Sequence, residues 1–212
     1  MKILYLYQEV MGYTVETLKA LSKRNVDVHV IHWDHKKLTP YKIPEINNVK
    51  FYKRSSFDFK KMRELTLKID PDLTVVSGWV DLCYLRISRL MISRNKNVIV
   101  GFDDQWHGTF KQMIAQLIGK LKFFKFFFSL AWVSGIYQFE YARKLGFTKQ
   151  QIIYDLYSAN VNMFNSYFLK NRKLKQKNYP KTFLYVGRLE KEKGIQTLIK
   201  SWNKLTEKNG WK

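Results

Sequence analysis

Thr182-Phe-Leu-Tyr-Val-Gly187-Arg188-Leu-Glu-Lys-Glu-Lys193-Gly194-Ile195 is the stretch from which the fold is read. An apolar run, Phe183 to Val186, breaks at Gly187, presents Arg188, and gives way to charge until Lys193-Gly194 opens a new pattern. Ile195, Leu198, Ile199, Trp202 and Leu205 then fall on one face of a helix. The spacing predicts a strand, a basic turn and a helix. Open α/β sheets bind ligands at the carboxyl ends of their strands, where a helix N-terminus adds its positive end. Glycine, arginine and lysine at that edge suit an anion.

The rest of the chain repeats the same alternation. Strands are expected at Lys2–Tyr7, 27–33, 49–52, Leu73–Ser77, 98–102, Leu130–Val133 and 152–157. Helices are expected at 13–24, 57–69, 81–93, 109–126 and 137–145. Serial βα units imply a parallel, doubly wound, Rossmann-like sheet with helices on both faces. Between Asn160 and Pro180 the pattern dissolves into Asn, Lys and Tyr. The expected organisation is therefore a Rossmann-like domain over 1–164, a linker over 165–180, and the first βα unit of a second Rossmann-like domain over 181–212.

Composition narrows the class. With 212 residues and 46% apolar content the chain can bury a core, and its one cysteine, Cys83, excludes an internal disulfide. Lys2 to Tyr7 is too short for a signal peptide, and no apolar run nears the ~20 residues of a spanning helix. A cytosolic protein, soluble or peripheral, is expected. The charge is the outlier: 38 Lys+Arg against 17 Asp+Glu, formally +21. Such an excess speaks of partners, with nucleic acid, an anionic membrane and anionic small substrates all open, or it records only a biased genome. From His107 to Gln151 seven basic residues face only Glu140. No Walker loop, G-x-S-x-G or G-x-G-x-x-G occurs, which excludes the nucleotide-hydrolase, α/β-hydrolase and dinucleotide classes. The four histidines show no metal-ligand spacing.

Three constellations remain. Gly101-Phe-Asp103-Asp104-Gln-Trp106-His107-Gly108 follows a strong strand, where carboxylates, an indole and an imidazole can orient and stack a sugar; the bland alternative is a helix cap and a polar loop. Gly12, after the first strand, would admit a substrate close to the backbone, or would simply make a turn. Lys120-Leu-Lys122-Phe-Phe-Lys125-Phe-Phe-Phe128 interleaves lysine with aromatics, as an interfacial helix does, although Phe126 to Phe128 also read as core and the pattern also suits stacked single-stranded bases.

The segment from Val186 to Gly194 resembles the V-G-R-L…E-K-G run that opens the nucleotide-sugar domain of GT-B glycosyltransferases of family 4. Trp132-Val-Ser-Gly135, with Gln138-Phe-Glu140-Tyr141-Ala-Arg143-Lys-Leu-Gly146-Phe, is similar to the strand-loop-helix that carries V-P-G…Q…E-Y-A-R-K-L-G-F there. Ser158-Ala-Asn160-Val-Asn162-Met-Phe164 is similar to the N-G-V-D…F hand-over between domains, with Asn162 where an acid is usual. The resemblance implies sugar transfer, with retained configuration, from a nucleotide-diphosphate sugar to a lipid-linked or polysaccharide acceptor, at the inner face of the plasma membrane. It implies that Gly187, Arg188 and Lys193 hold the donor diphosphate without any metal or other cofactor. His107 and Asp104 become the catalytic candidates, and Gly12, Asp103 and Trp106 the acceptor-binding ones. Lys120, Lys122 and Lys125 become the membrane contacts, and no nucleic acid is expected. The family's later glutamate pair has no counterpart before Lys212, so the 212 residues are expected to be truncated and to have little or no activity by themselves. The alternative is a non-catalytic acceptor- or membrane-binding half that pairs with a separate donor-domain chain.

Overall fold

The computed structural model describes residues 1–35, 42–177, 179–187 and 189–212, with Glu192 described by its backbone alone. Two compact units are present, Met1–Asn160 and Val161–Lys212.

The first unit is a seven-stranded parallel sheet built from β1 (Lys2–Tyr7), β2 (Asp27–His32), β3 (Val49–Lys53), β4 (Leu73–Ser77), β5 (Asn97–Phe102), β6 (Leu130–Val133) and β7 (Ile152–Ile153), in the order β3-β2-β1-β4-β5-β6-β7. Crossovers are made by α1 (Gly12–Ser22), α2 (Phe59–Ile69), α3 (Leu82–Ser93), α4 (Phe110–Lys120) and α5 (Ile136–Lys144). The central strands are apolar on both faces because helices cover both. Along β1, Leu4 and Leu6 join one core with Ile31, Tyr84 and Ile87, while Ile3 and Tyr5 join the other with Val15, Leu18 and Val28. The doubly wound fold expected from the βα alternation is the fold observed.

Local chemistry fixes the joints. Asp81 caps α3 by accepting from the Cys83 and Tyr84 amides, and its carboxylate also takes the Arg54 Nε at 2.7 Å and the Trp33 Nε1 at 3.1 Å. That partly buried pair ties the exit of β3 to the start of α3. The Tyr84 hydroxyl donates to the Tyr7 and Ile31 carbonyls, locking α3 under β1 and β2. Strand order reverses between β1 and β4, and there the Gln8 amide donates to the Ser77 Oγ at 2.7 Å. This is the topological switch point, where folds of this kind hold ligands.

Two boundaries in this unit differ from expectation by more than two residues. The helix expected to reach Phe126 stops at Lys120; Lys122 takes a left-handed conformation (φ 59°), and a short 3-10 turn, Phe123–Phe126, follows. That turn drops Phe124 and Phe128 into the core and leaves Phe123 and Phe126 outside. β7 is two residues long rather than six, because Asp155 adopts φ 63° and takes the chain off the ladder.

The second unit holds α6 (Val161–Lys177), a 3-10 turn at Lys191–Lys193 and α7 (Ile195–Lys204). The segment read as a linker is thus helical through Lys177. Phe183–Val186, expected as a strand, takes no regular secondary structure and joins no sheet among the described residues; Phe183 N–H bonds the Lys212 carbonyl and Lys212 N–H the Lys181 carbonyl. Phe183 packs its ring on Trp202 and Trp211 at 5.5 and 4.8 Å.

Candidate functional site

The loops after β1, β4, β5, β6 and β7 gather at the carboxyl edge of the sheet. Gly101, near the end of β5, is the close-packed point beneath them: a Cβ there would meet Leu156 Cδ1 at 3.1 Å and the Tyr7 hydroxyl at 3.7 Å. The Leu156 side chain would have to give by a few tenths of an ångström to admit a Cβ there, while the Tyr7 hydroxyl lies at ordinary contact distance.

Directly above, Asp103 and Asp104 leave β5. The Asp103 carbonyl accepts from Gln138 Nε2 of α5 at 2.9 Å, and its carboxylate is hydrogen-bonded to Tyr157, which follows β7. Tyr157 packs its ring on Tyr13 at 4.3 Å. Ser158 then donates to the Tyr13 carbonyl at 2.8 Å and meets the Thr17 hydroxyl at 3.1 Å, so α1 and the β7 exit form one shelf. Burial, and next the bond to Asp103, push the Tyr157 hydroxyl far above its ordinary value, and it is a hydrogen-bonding group at every physiological pH. Burial and the neighbouring Asp103 charge also raise Asp104, with His107 pulling weakly the other way. Asp104 is exposed as a residue yet its carboxyl is partly desolvated, so it keeps more affinity for a proton than a free aspartate.

Gln112, one turn into α4, organises the rest of the loop. Its Oε1 accepts from the His107 amide at 2.8 Å, its Nε2 donates to the Gln105 carbonyl at 2.8 Å, and it shares a capping box with Thr109. The helix cap is therefore Thr109, and neither aspartate caps α4. Asp103, Asp104 and His107 remain at the exposed loop surface. Trp106 is half-buried: Tyr141 lies 5.9 Å from its ring and the Lys144 ammonium sits over it at 4.9 Å. Gly12 is the first residue of α1, beside Tyr13 and across from Tyr157.

The structure thus brings Gly12, Asp103, Asp104, Trp106 and His107 to one edge of the first unit. Lys120, Lys122 and Lys125 lie exposed at the far end of α4 and the turn after it. Gly187 and Lys193 are exposed in the second unit, Lys193 as the last residue of the 3-10 turn, and Gly194 takes φ 70° just ahead of α7. Arg188 lies outside the described residues. Tyr13, Tyr157 and Gln112 were not legible as site residues. Tyr157 sits in what read as a strand, and only the left-handed turn at Asp155 swings it over Asp103.

Among the described residues no group of three or more His, Cys, Asp or Glu is placed to hold a metal ion, and no helix is long and apolar enough to cross a membrane.

The sequence model of the family described as "Glycosyl transferase 4-like" matches residues 2–100, from the start of β1 into β5. Among solved structures, the Anabaena protein Alr3699/HepE in complex with UDP aligns at 14% identity and TM-score 0.62, over 98% of this chain and 59% of that one. The same protein with UDP-glucose aligns at 14% identity and TM-score 0.62, over 98% and 58%. The chain thus spans less than two thirds of that neighbour's length, and at such identity the likeness is one of fold. No curated protein matches the chain in sequence.

Proposed function

From the glycosyl transferase 4-like character of residues 2–100, we propose that this protein takes part in transfer of a sugar from a nucleotide-diphosphate donor to a lipid-linked or polysaccharide acceptor, with retention at the anomeric carbon. One observation carries the reading: the Asp103-Asp104…His107 loop stands beside the Tyr13–Tyr157 shelf at the carboxyl edge of the parallel sheet. Bound UDP and UDP-glucose in the HepE structures support a uridine nucleotide as the donor class.

In this reading the aromatic shelf carries an acceptor sugar ring by its apolar face, while Asp103 holds a ring hydroxyl. Asp104, with its raised proton affinity, accepts a hydrogen bond from the attacking hydroxyl and draws off its proton as the new bond forms. The acceptor oxygen bonds to the anomeric carbon on the same face from which the diphosphate departs, so that configuration is retained. The bond from that carbon to the diphosphate oxygen breaks, and the nucleoside diphosphate leaves with the electron pair. His107 donates a hydrogen bond to the donor sugar or to the leaving phosphate. Arg188 and Lys193, with the backbone of Gly187, neutralise the departing diphosphate, a fixed-charge role that asks for no metal. Trp106, clasped by Tyr141 and Lys144, shapes the loop as well as lining it.

Saturation-transfer NMR with a short-chain polyprenyl-phosphate-linked sugar, and separately with soluble oligosaccharides, tests the acceptor assignment. Saturation of ring protons is expected in the wild-type chain and is expected to vanish in Tyr157→Ala and Asp103→Ala. The reading fails if no sugar of either kind is saturated, or if both variants behave as the wild type.

A further inference from the structure

The outer face of α4 is apolar. Phe110, Met113, Ile114, Leu117 and Leu121 recur at i, i+3, i+4, i+7 and i+11, and all five are 44–76% exposed. This is the reverse of an ordinary surface helix, whose apolar stripe faces the core. The inward face is narrow and built for close approach: a Cβ on Gly119 would lie 2.6 Å from the Leu145 backbone. The 3-10 turn beyond α4 extends the exposed apolar surface with Phe123 and Phe126.

A rim of cations surrounds this face. Lys111 and Lys120 flank the stripe, Lys122 and Lys125 follow it, and Arg89 of α3 sits over the Phe126 ring at 5.9 Å. No acidic residue lies between Asp104 and Glu140. Apolar side chains ringed by lysine, on a helix lying flat against its domain, match the acyl-chain boundary and anionic headgroups of a bilayer surface. A second copy of the chain is a poor occupant, since it would set five cations against five at a formal charge of +21. Single-stranded nucleic acid would meet the cations, but the stripe itself is aliphatic and offers few rings for bases to stack on.

We propose that α4 and the turn after it form the docking surface of this protein on an anionic membrane, with Phe110, Met113, Ile114, Leu117 and Leu121 entering the interface and Lys111, Lys120, Lys122, Lys125 and Arg89 holding headgroup phosphates. The aromatic residues singled out by sequence contribute less than expected, because Phe124 and Phe128 are core. The aliphatic stripe upstream carries the insertion. Gln112, on the same helix, holds the Gln105–His107 loop, so docking sets that loop at headgroup level. The docking claim stands apart from the transferase reading and is tested without any donor or acceptor.

Co-sedimentation with vesicles of phosphatidylcholine plus phosphatidylglycerol, against phosphatidylcholine alone, is the experiment. Binding is expected on the anionic vesicles only, weakened about fivefold for each lysine lost in Lys120→Gln and Lys122→Gln. The double variant Leu117→Gln/Leu121→Gln alters only exposed side chains and is expected to keep its thermal unfolding midpoint while binding at least about tenfold more weakly. Absence of vesicle binding by the wild type overturns the proposal. So does wild-type binding by the folded Leu117→Gln/Leu121→Gln variant, which would leave a charge patch without insertion, or capture of single-stranded RNA through this face in preference to vesicles.

Discussion

Asp104 shows how far a single side chain can be tuned by its loop. Partial burial raises its proton affinity first, and the adjacent Asp103 carboxylate raises it further. Both favour the neutral form, so Asp104 ionises at a higher pH than a free aspartate. Replacing Asp103 by Asn removes one of the two causes, and the Asp104 midpoint is then expected to fall while staying above the free-aspartate value, because burial remains. Carbon-detected NMR of the side-chain carboxyls across pH measures this directly; an unchanged Asp104 midpoint in Asp103→Asn would show that the two carboxylates do not sense one another. At this scale the sequence was only partly legible. Asp103, Asp104 and His107 were marked by their place after a buried strand. Gln112, which holds the loop, looked like one more polar helix residue, and its role needs the turn at Gly108 (φ 68°) to become visible.

At the scale of elements, α4 and α5 meet through glycine. A Cβ at Gly119 would be 2.6 Å from the Leu145 carbonyl carbon and oxygen, and the neighbour is backbone that cannot rotate away. Gly119→Ala is therefore expected to destabilise the chain by about 3 kcal/mol, the upper end of overpacking costs. Chemical denaturation reads this as a lower midpoint at unchanged slope, and a loss under about 0.5 kcal/mol would mean that the helices part more easily than their packing indicates. Strands β1, β4 and β6 were legible to the residue, since continuous apolar runs bounded by turn residues leave little choice. The ends of α4 and β7 were not. Helical periodicity runs on through Phe126, and β-branched and aromatic residues run on through Tyr157, while left-handed backbone at Lys122 and Asp155 ends each element for tertiary reasons. Residues 161–177 form a helix without any apolar periodicity strong enough to announce it, and none of them is buried.

For the molecule as a whole, the βα alternation determines an open parallel sheet, and its order β3-β2-β1-β4-β5-β6-β7 places a switch point between β1 and β4. The parallel, doubly wound sheet follows from pattern alone, whereas the strand order is seen only in the structure. The glycosyl transferase 4-like model matches residues 2–100, and the motifs after Trp132 that carry the resemblance lie beyond that segment; the likeness to HepE is one of fold. The second unit was less legible: Phe183–Val186 has strand composition, yet it joins no sheet among the described residues, and the Phe183 amide bonds the Lys212 carbonyl. The donor assignment to Gly187, Arg188 and Lys193 therefore rests on the resemblance and asks for a direct test. Isothermal titration of the chain with UDP, UDP-glucose and GDP, repeated on Arg188→Ala and Lys193→Ala, provides it. The account expects a uridine nucleotide to bind with a heat that disappears in Arg188→Ala and weakens about tenfold or more in Lys193→Ala, as loss of charge-assisted bonds to a diphosphate requires. Binding that survives both substitutions unchanged, or a folded chain that binds none of the three, would contradict it.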